Sequence, residues 1–154
     1  MTFQRLNHKQ VSSDGLLSAS RSKYDSAKKL RDSDKYEDAV YLAGYALEFI
    51  LKRHICLCLG WSEYPPKHVH VDGAYRDDTN YQNFTTHDLN KLLILAGLHA
   101  SVADDTDLMS HWETVLKWQV ELRYCSPGDL EKEAAVEIMK SILHMIKWVK
   151  QKHD

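Results

Sequence analysis

The side chains able to do chemistry fall into three groups. The first closes the apolar segment 39–54, where Glu48, Lys52, Arg53 and His54 follow a run of almost unbroken hydrophobic residues. Glu48 and Lys52 form an i, i+4 pair with the acid first, an arrangement that either steadies an exposed helix by a few tenths of a kcal/mol or lines a cleft. Arg53 and His54 are neighbours, about 100° apart around a helix, which argues against their acting together within one subunit. The second group, His87 and Asp88, opens a helix, where unpaired amides and partial positive charge suit a phosphate as well as a simple cap. The third, Arg123 and Tyr124, pairs a guanidinium that can grip phosphate through two bonds with a phenol that can stack on a base. An arginine at a helix end also neutralises the helix dipole, so a structural role stays open for it. His68, His70 and His87 gather around the segment 60–84 with Tyr64, Tyr75, Tyr81 and Phe84. His-x-His can hold a metal, but no further ligand stands at a recognised spacing, so neither a metal site nor a cofactor is expected.

These residues need elements to carry them. Leu17, Tyr24, Ala27 and Leu30 recur at helical intervals and predict a first helix over 12–31. Asp34 with Glu37 three residues later reads as a capping box for a second helix over 35–59, ended by Gly60. Apolar residues on nearly every face of that second helix make it the central post of a small bundle. Residues 60–84, with Pro65, Pro66, Asp72, Gly73, Asp77, Asp78 and Asn80, read as a long loop of the functional or mobile kind, or one hiding a short element. Thr85 with Asp88 predicts a third helix of about ten residues, ended by Gly97. A fourth begins among Asp104, Asp105 and Asp107 and runs to Leu122, presenting Leu108, Trp112, Val115, Gln119 and Leu122 on one side. Ser126-Pro127-Gly128-Asp129 reads as the start of a fifth, with Ala135, Ile138, Ile142, Met145, Ile146 and Val149 inward. Trp112, Trp118 and Trp148 are expected in the core or at a dimer contact.

Composition narrows the field. At 154 residues the chain fits one domain, spanning 1–154. Twenty Lys and Arg against 22 Asp and Glu leave a net charge of −2, without the global basic field of a dedicated nucleic-acid binder. Any RNA contact must be local. The first residues lack an apolar core of signal-peptide length and no later run reaches membrane-span length, so a cytoplasmic protein with no membrane partner is expected. Cys56, Cys58 and Cys125 are read as reduced, buried small hydrophobes.

Three segments, Ala43-Gly44-Tyr45-Ala46-Leu47-Glu48-Phe49-Ile50-Leu51-Lys52, His87-Asp88-Leu89 and Arg123-Tyr124, in that order, resemble a HEPN domain over roughly residues 12–150. The resemblance implies an all-α, five-helix up-and-down bundle with a long loop between helices two and three. It also implies a homodimer working in a toxin–antitoxin or antiviral defence system, often beside a nucleotidyltransferase. Many members of the family are metal-independent ribonucleases built on an Arg-x4–6-His pair, with guanidinium on the phosphate charge and imidazole moving a proton. In this chain the positions after Arg123 hold Gly128, Asp129 and Leu130, and those after Arg53 hold Cys58, Leu59 and Gly60. Arg5, Arg21, Arg31 and Arg76 lack a partner histidine as well. Asp129 could accept a proton but is anionic near neutrality, and it suits a capping role. The expected function is therefore binding of a nucleotide, an RNA or a protein partner without the usual ribonuclease motif. Arg123, Tyr124, His87, Asp88, Glu48, Lys52, Arg53 and His54 are the candidate contacts. A metal-independent endoribonuclease with a non-standard site, and a non-catalytic structural adaptor of an enzyme such as a nucleotidyltransferase, stand as alternatives.

Overall fold

The computed structural model describes residues 11–64, 69–71, 74–76 and 84–153. Among them the chain is mostly helical, with two small strand pairs. In chain order the elements are β1 (Val11–Ser12), α1 (Ser13–Asp32), α2 (Tyr36–Leu59), β2 (Glu63–Tyr64), β3 (Val69–Val71), β4 (Ala74–Arg76), α3 (Leu89–Leu95), α4 (His99–Ala103), α5 (Thr106–Val115), a 3-10 turn (Val120–Tyr124) and α6 (Lys132–Lys150). None of the described helices is long and apolar enough to cross a membrane.

The central post is α2, about 36 Å long at 1.5 Å per residue. Ala39, Val40, Ala43, Ala46, Leu47, Leu51, Ile55 and Cys56 on it are essentially inaccessible to solvent, because α1, α6, α3 and the 3-10 turn all pack against it. Gly60 ends it in the left-handed conformation, φ +66°, and returns its N–H to the Cys56 carbonyl. On α1, the Ser12 hydroxyl caps the start by accepting from Gly15 N–H at 3.1 Å. Ser20 then donates across to the Ala46 carbonyl at 2.7 Å, and Tyr24 to the Met139 carbonyl at 3.2 Å. The stripe expected on the last helix, Ala135 to Val149, is buried throughout on α6.

The sequence expectations fail where a tertiary contact outbids local propensity. Asp34 lies at φ +59° and does not cap α2; its carboxylate accepts from the Tyr36 hydroxyl instead. Glu37 does not complete a capping box with Asp34, and its Oε1 accepts from Gly128 N–H at 2.9 Å and Leu130 N–H at 2.8 Å. The Leu130 amide, with help from Gly128, holds the Glu37 carboxyl below its usual range. The segment Ser126–Asp129 is accordingly a turn and not a helix start: Gly128 has φ +96°, and Asp129 accepts from Ser126 N–H at 2.7 Å. The last helix begins at Lys132.

Helix four, expected to reach Leu122, stops at Val115 as α5, and a short helix that was not expected, α4, precedes it. The described residues thus carry six helices in place of five. The early stop lets Trp118 cross over α2, where its indole N–H donates to the Tyr41 carbonyl at 3.2 Å and its ring lies on Gly44. Thr85 does not cap α3; Asp88 does, accepting from Lys91 N–H at 3.0 Å. Of the cysteines, Cys56 is buried, but Cys58 and Cys125 are exposed.

Within 60–84, read as a long loop or one hiding a short element, the structure has short strands. Val11 pairs with Tyr64 and Ser12 with Glu63, while Val69 to Val71 pairs with Ala74 to Arg76 in a hairpin. Tyr64 donates to the Phe84 carbonyl at 2.7 Å, which clips the two ends of the segment together. His68, Tyr81 and the start of the chain lie outside the described residues, as do the side chains of His70 and Tyr75.

The Gly44 contact gives a measurable expectation. A methyl group there would land on the Trp118 indole nitrogen. Gly→Ala inside a helix otherwise gains about 1 kcal/mol, whereas overfilling a packed core costs about 1–3 kcal/mol. Gly44→Ala is therefore expected to lower the unfolding free energy in urea by up to about 2 kcal/mol and to shift tryptophan fluorescence. A stabilised variant with unchanged fluorescence would contradict the close contact.

Candidate functional site

Glu48 is buried with 1% of its side chain exposed, a carboxylate inside the domain. Lys52, one turn on, meets its Oε1 at 2.6 Å, and His87 reaches both oxygens from the start of α3, Nδ1 to Oε2 at 3.0 Å and to Oε1 at 3.1 Å. Of the two readings of this pair, an exposed i, i+4 bridge or the lining of a cleft, the exposed one fails: Glu48 is interior, since α2 is packed on all sides. The Lys52 ammonium also stands 5.4 Å from the Tyr64 ring centroid, a cation–π contact that ties it to the clip at the end of the 60–84 segment.

An aromatic wall rises beside this cluster. Tyr45 sets its ring edge-on to His87 at 5.7 Å, to Trp118 at 5.6 Å and to Tyr41 at 5.1 Å. Burial, followed by the bond from the Tyr41 hydroxyl, pushes the Tyr45 phenol far above its ordinary value, so it is neutral at any physiological pH. Next to the wall, between the start of α3 and the 3-10 turn, lies a cavity of about 560 Å³ lined in part by Thr86, His87, Asp88, Trp118, Gln119 and Glu121. His87 joins the two features: its Nδ1 is fixed by the interior carboxylate, its side chain is 54% exposed, and Nε2 is left to meet a ligand.

The structure brings together Glu48, Lys52, His87 and Asp88 from the expected set. Arg123 and Tyr124 flank them on the 3-10 turn, not at the end of a long helix; both are exposed, with the guanidinium 4.8 Å from the Tyr124 ring centroid. The Arg123 charge acts on Tyr45, opposing the rise of its phenol, which puts the guanidinium within electrostatic reach of the wall. Arg53 and His54 serve other faces of α2. Arg53 Nε is enclosed without a hydrogen-bond partner among the described residues. His54 is buried, with Nδ1 2.7 Å from His153 Nε2 and Nε2 3.3 Å from Cys58 Sγ. Burial first, then the charge of His153, lowers its pKa.

Sequence reading missed Tyr45, Trp118, Gln119 and Glu121 as site residues. Tyr45 and Trp118 looked like core, and Gln119, the lone polar member of an apolar stripe, was the one available signal. The chain matches no protein-family model, no curated protein and no solved structure.

Removing one member of a buried ion pair strands the other, at a cost of about 3–5 kcal/mol, whereas replacing both by apolar groups is often neutral. Glu48→Ala is expected to destabilise the protein by about 3 kcal/mol in chemical denaturation, and Glu48→Ala/Lys52→Met by distinctly less. Additive losses would show that the pair is not coupled. For His54, with a folded pKa below its unfolded value near 6.5, stability is complete above pH 6.5. It declines as the pH falls below that value and the unfolded chain takes up the proton first. The slope of unfolding free energy against pH should shrink in His54→Gln, and an identical slope would remove His54 as its source.

Proposed function

We propose that this chain is a HEPN-like protein that binds a nucleotide or an RNA end in the cavity beside His87. The observation that carries the reading is the carboxylate-anchored imidazole at the mouth of a cavity of nucleotide size: Glu48 holds Nδ1 at 3.0 Å, and the space is about 560 Å³. Small-molecule sites usually fall between about 300 and 1,000 Å³, with a few fixed polar groups on a largely apolar lining. Asp88 and Glu121 add negative charge to this lining, which disfavours a polyphosphate inside it. The base and ribose therefore suit the cavity, against Trp118, while the phosphate suits the exposed Arg123 with Tyr124 beside it.

Two observations favour binding over the family's usual ribonuclease chemistry. No histidine follows Arg123 at the required spacing, and the residues that stand there have structural duties. Gly128 and Leu130 donate to Glu37, and Asp129 closes its own turn on Ser126. A second reading draws on the Glu48–His87 contact, since a carboxylate that orients an imidazole is an arrangement for proton transfer. In that reading His87 is the acid–base group of a non-standard ribonuclease and Arg123 its phosphate ligand. Both readings expect a homodimer in sedimentation at tens of micromolar.

Fluorescence anisotropy with labelled nucleotides and short single-stranded RNAs tests the proposal. Arg123→Ala is expected to weaken binding by about 1–3 kcal/mol, the scale of a charge-assisted contact, and to leave the melting temperature unchanged because the side chain is exposed. His87→Ala should weaken binding too. Absence of binding by the wild-type protein, or affinity indifferent to both substitutions, would refute the reading and favour the adaptor alternative. RNA cleavage lost in His87→Ala would replace it with the ribonuclease.

A further inference from the structure

A second group of chemically capable side chains lies on α5 and α6 and shares no residue with the lining of the His87 cavity. Asp107 and His111 stand one turn apart on α5, and His144 faces them from α6, with one donor atom from each within 4.8 Å of the others. His144 Nε2 is 3.6 Å from Asp107 Oδ2, and the two imidazoles stack with centroids 4.0 Å apart and planes 20° from parallel. His111 is held from behind, since its Nδ1 lies 2.9 Å from the hydroxyl of Ser141, a residue only 3% exposed. With Nδ1–H donating to that oxygen, Nε2 keeps its lone pair for a cation. An outer acceptor that fixes tautomer and ring orientation is a usual companion of a metal-ligating histidine, and the Ser141 oxygen can fill that place here.

We propose that Asp107, His111 and His144 bind a divalent transition-metal ion of the zinc class. One carboxylate and two imidazoles suit Zn²⁺, Co²⁺ or Ni²⁺ far better than Mg²⁺ or Ca²⁺, which want oxygen alone. Donors around such an ion at about 2.0–2.1 Å lie roughly 3–3.4 Å apart, so the cluster must contract. The contraction falls on the two side chains free to move: Asp107 is 76% and His144 39% exposed, and His144 swings off the ring stack while His111 stays anchored. The open side of Asp107 leaves the remaining coordination positions to water or to an external ligand.

The other cluster of this kind among the described residues, His54, Cys58 and His153, fits an ion less well. Both ring nitrogens of His54 are already engaged, by His153 and by Cys58, and the charges of Lys152 and Arg53 bear on it. It therefore serves as the control.

Titration of the whole chain with ZnCl₂ by calorimetry, and with CoCl₂ followed by its visible absorption, tests the proposal. The expected result is one saturable site for Zn²⁺ and Co²⁺, no heat with Mg²⁺, and a higher melting temperature with Zn²⁺, because the ion bridges α5 to α6. Asp107→Asn, at a solvent-facing position, and His144→Ala should each reduce affinity at least about tenfold, and Ser141→Ala should weaken it about 10- to 100-fold through the anchor of His111. Cys58→Ser should change nothing. The proposal is overturned if the wild-type chain takes up neither ion, if Asp107→Asn and His144→Ala bind as the wild type does, or if Cys58→Ser abolishes binding.

Discussion

A carboxylate inside a helical domain is the constraint on which the site depends. A carboxylate at 1% exposure needs partners, and the fold supplies two from different parts of the chain, Lys52 a turn away and His87 thirty-nine residues on. Attraction within such a pair roughly offsets the desolvation of its members, so the cluster adds little net stability. Its effect is positional. Because the charge must be satisfied, the start of α3 is brought onto α2 and the imidazole is held by one nitrogen, with the other presented outward.

The path of the chain after α5 follows from a second pair of contacts on the same helix. Gly44 leaves a gap on α2 that the Trp118 indole fills, and the indole N–H finds the Tyr41 carbonyl there. Earlier on α2, Glu37 collects the amides of Gly128 and Leu130. Between these two attachment points the chain makes the 3-10 turn that carries Arg123 and Tyr124. One long helix could not meet both, which is why α5 stops at Val115. The far wall of the cavity beside His87 is built from the segment released by that stop.

Much of the fold was legible from local rules. The span of α1, the span of α2 with its Gly60 stop, the acidic start of α5 and the inward stripe of α6 all follow from periodicity and end signals, because each depends on neighbours within a few positions. The errors share one cause. Asp34 with Glu37 and Ser126 to Asp129 each had the residue types of a helix start, and in both a competing hydrogen bond or a left-handed backbone took the side chain elsewhere. Within the candidate site, Glu48, Lys52, His87, Asp88, Arg123 and Tyr124 could be named as chemically capable. Tyr45 and Trp118 could not, since an aromatic that lines a cavity and one that fills a core look alike in sequence.

The sequence by itself determined the helical class, the central place of α2 and the residue types able to meet a phosphate or a proton, because hydrophobic periodicity and side-chain chemistry are properties of the chain. Only the tertiary structure decided that Glu48 is interior, that it holds His87 and not Arg53 or His54, and that His111 meets His144 across two helices. Those pairings depend on which helix faces touch. The burial that turns an ordinary i, i+4 ion pair into an anchor arises from packing on all sides of α2, which no local pattern of residues records.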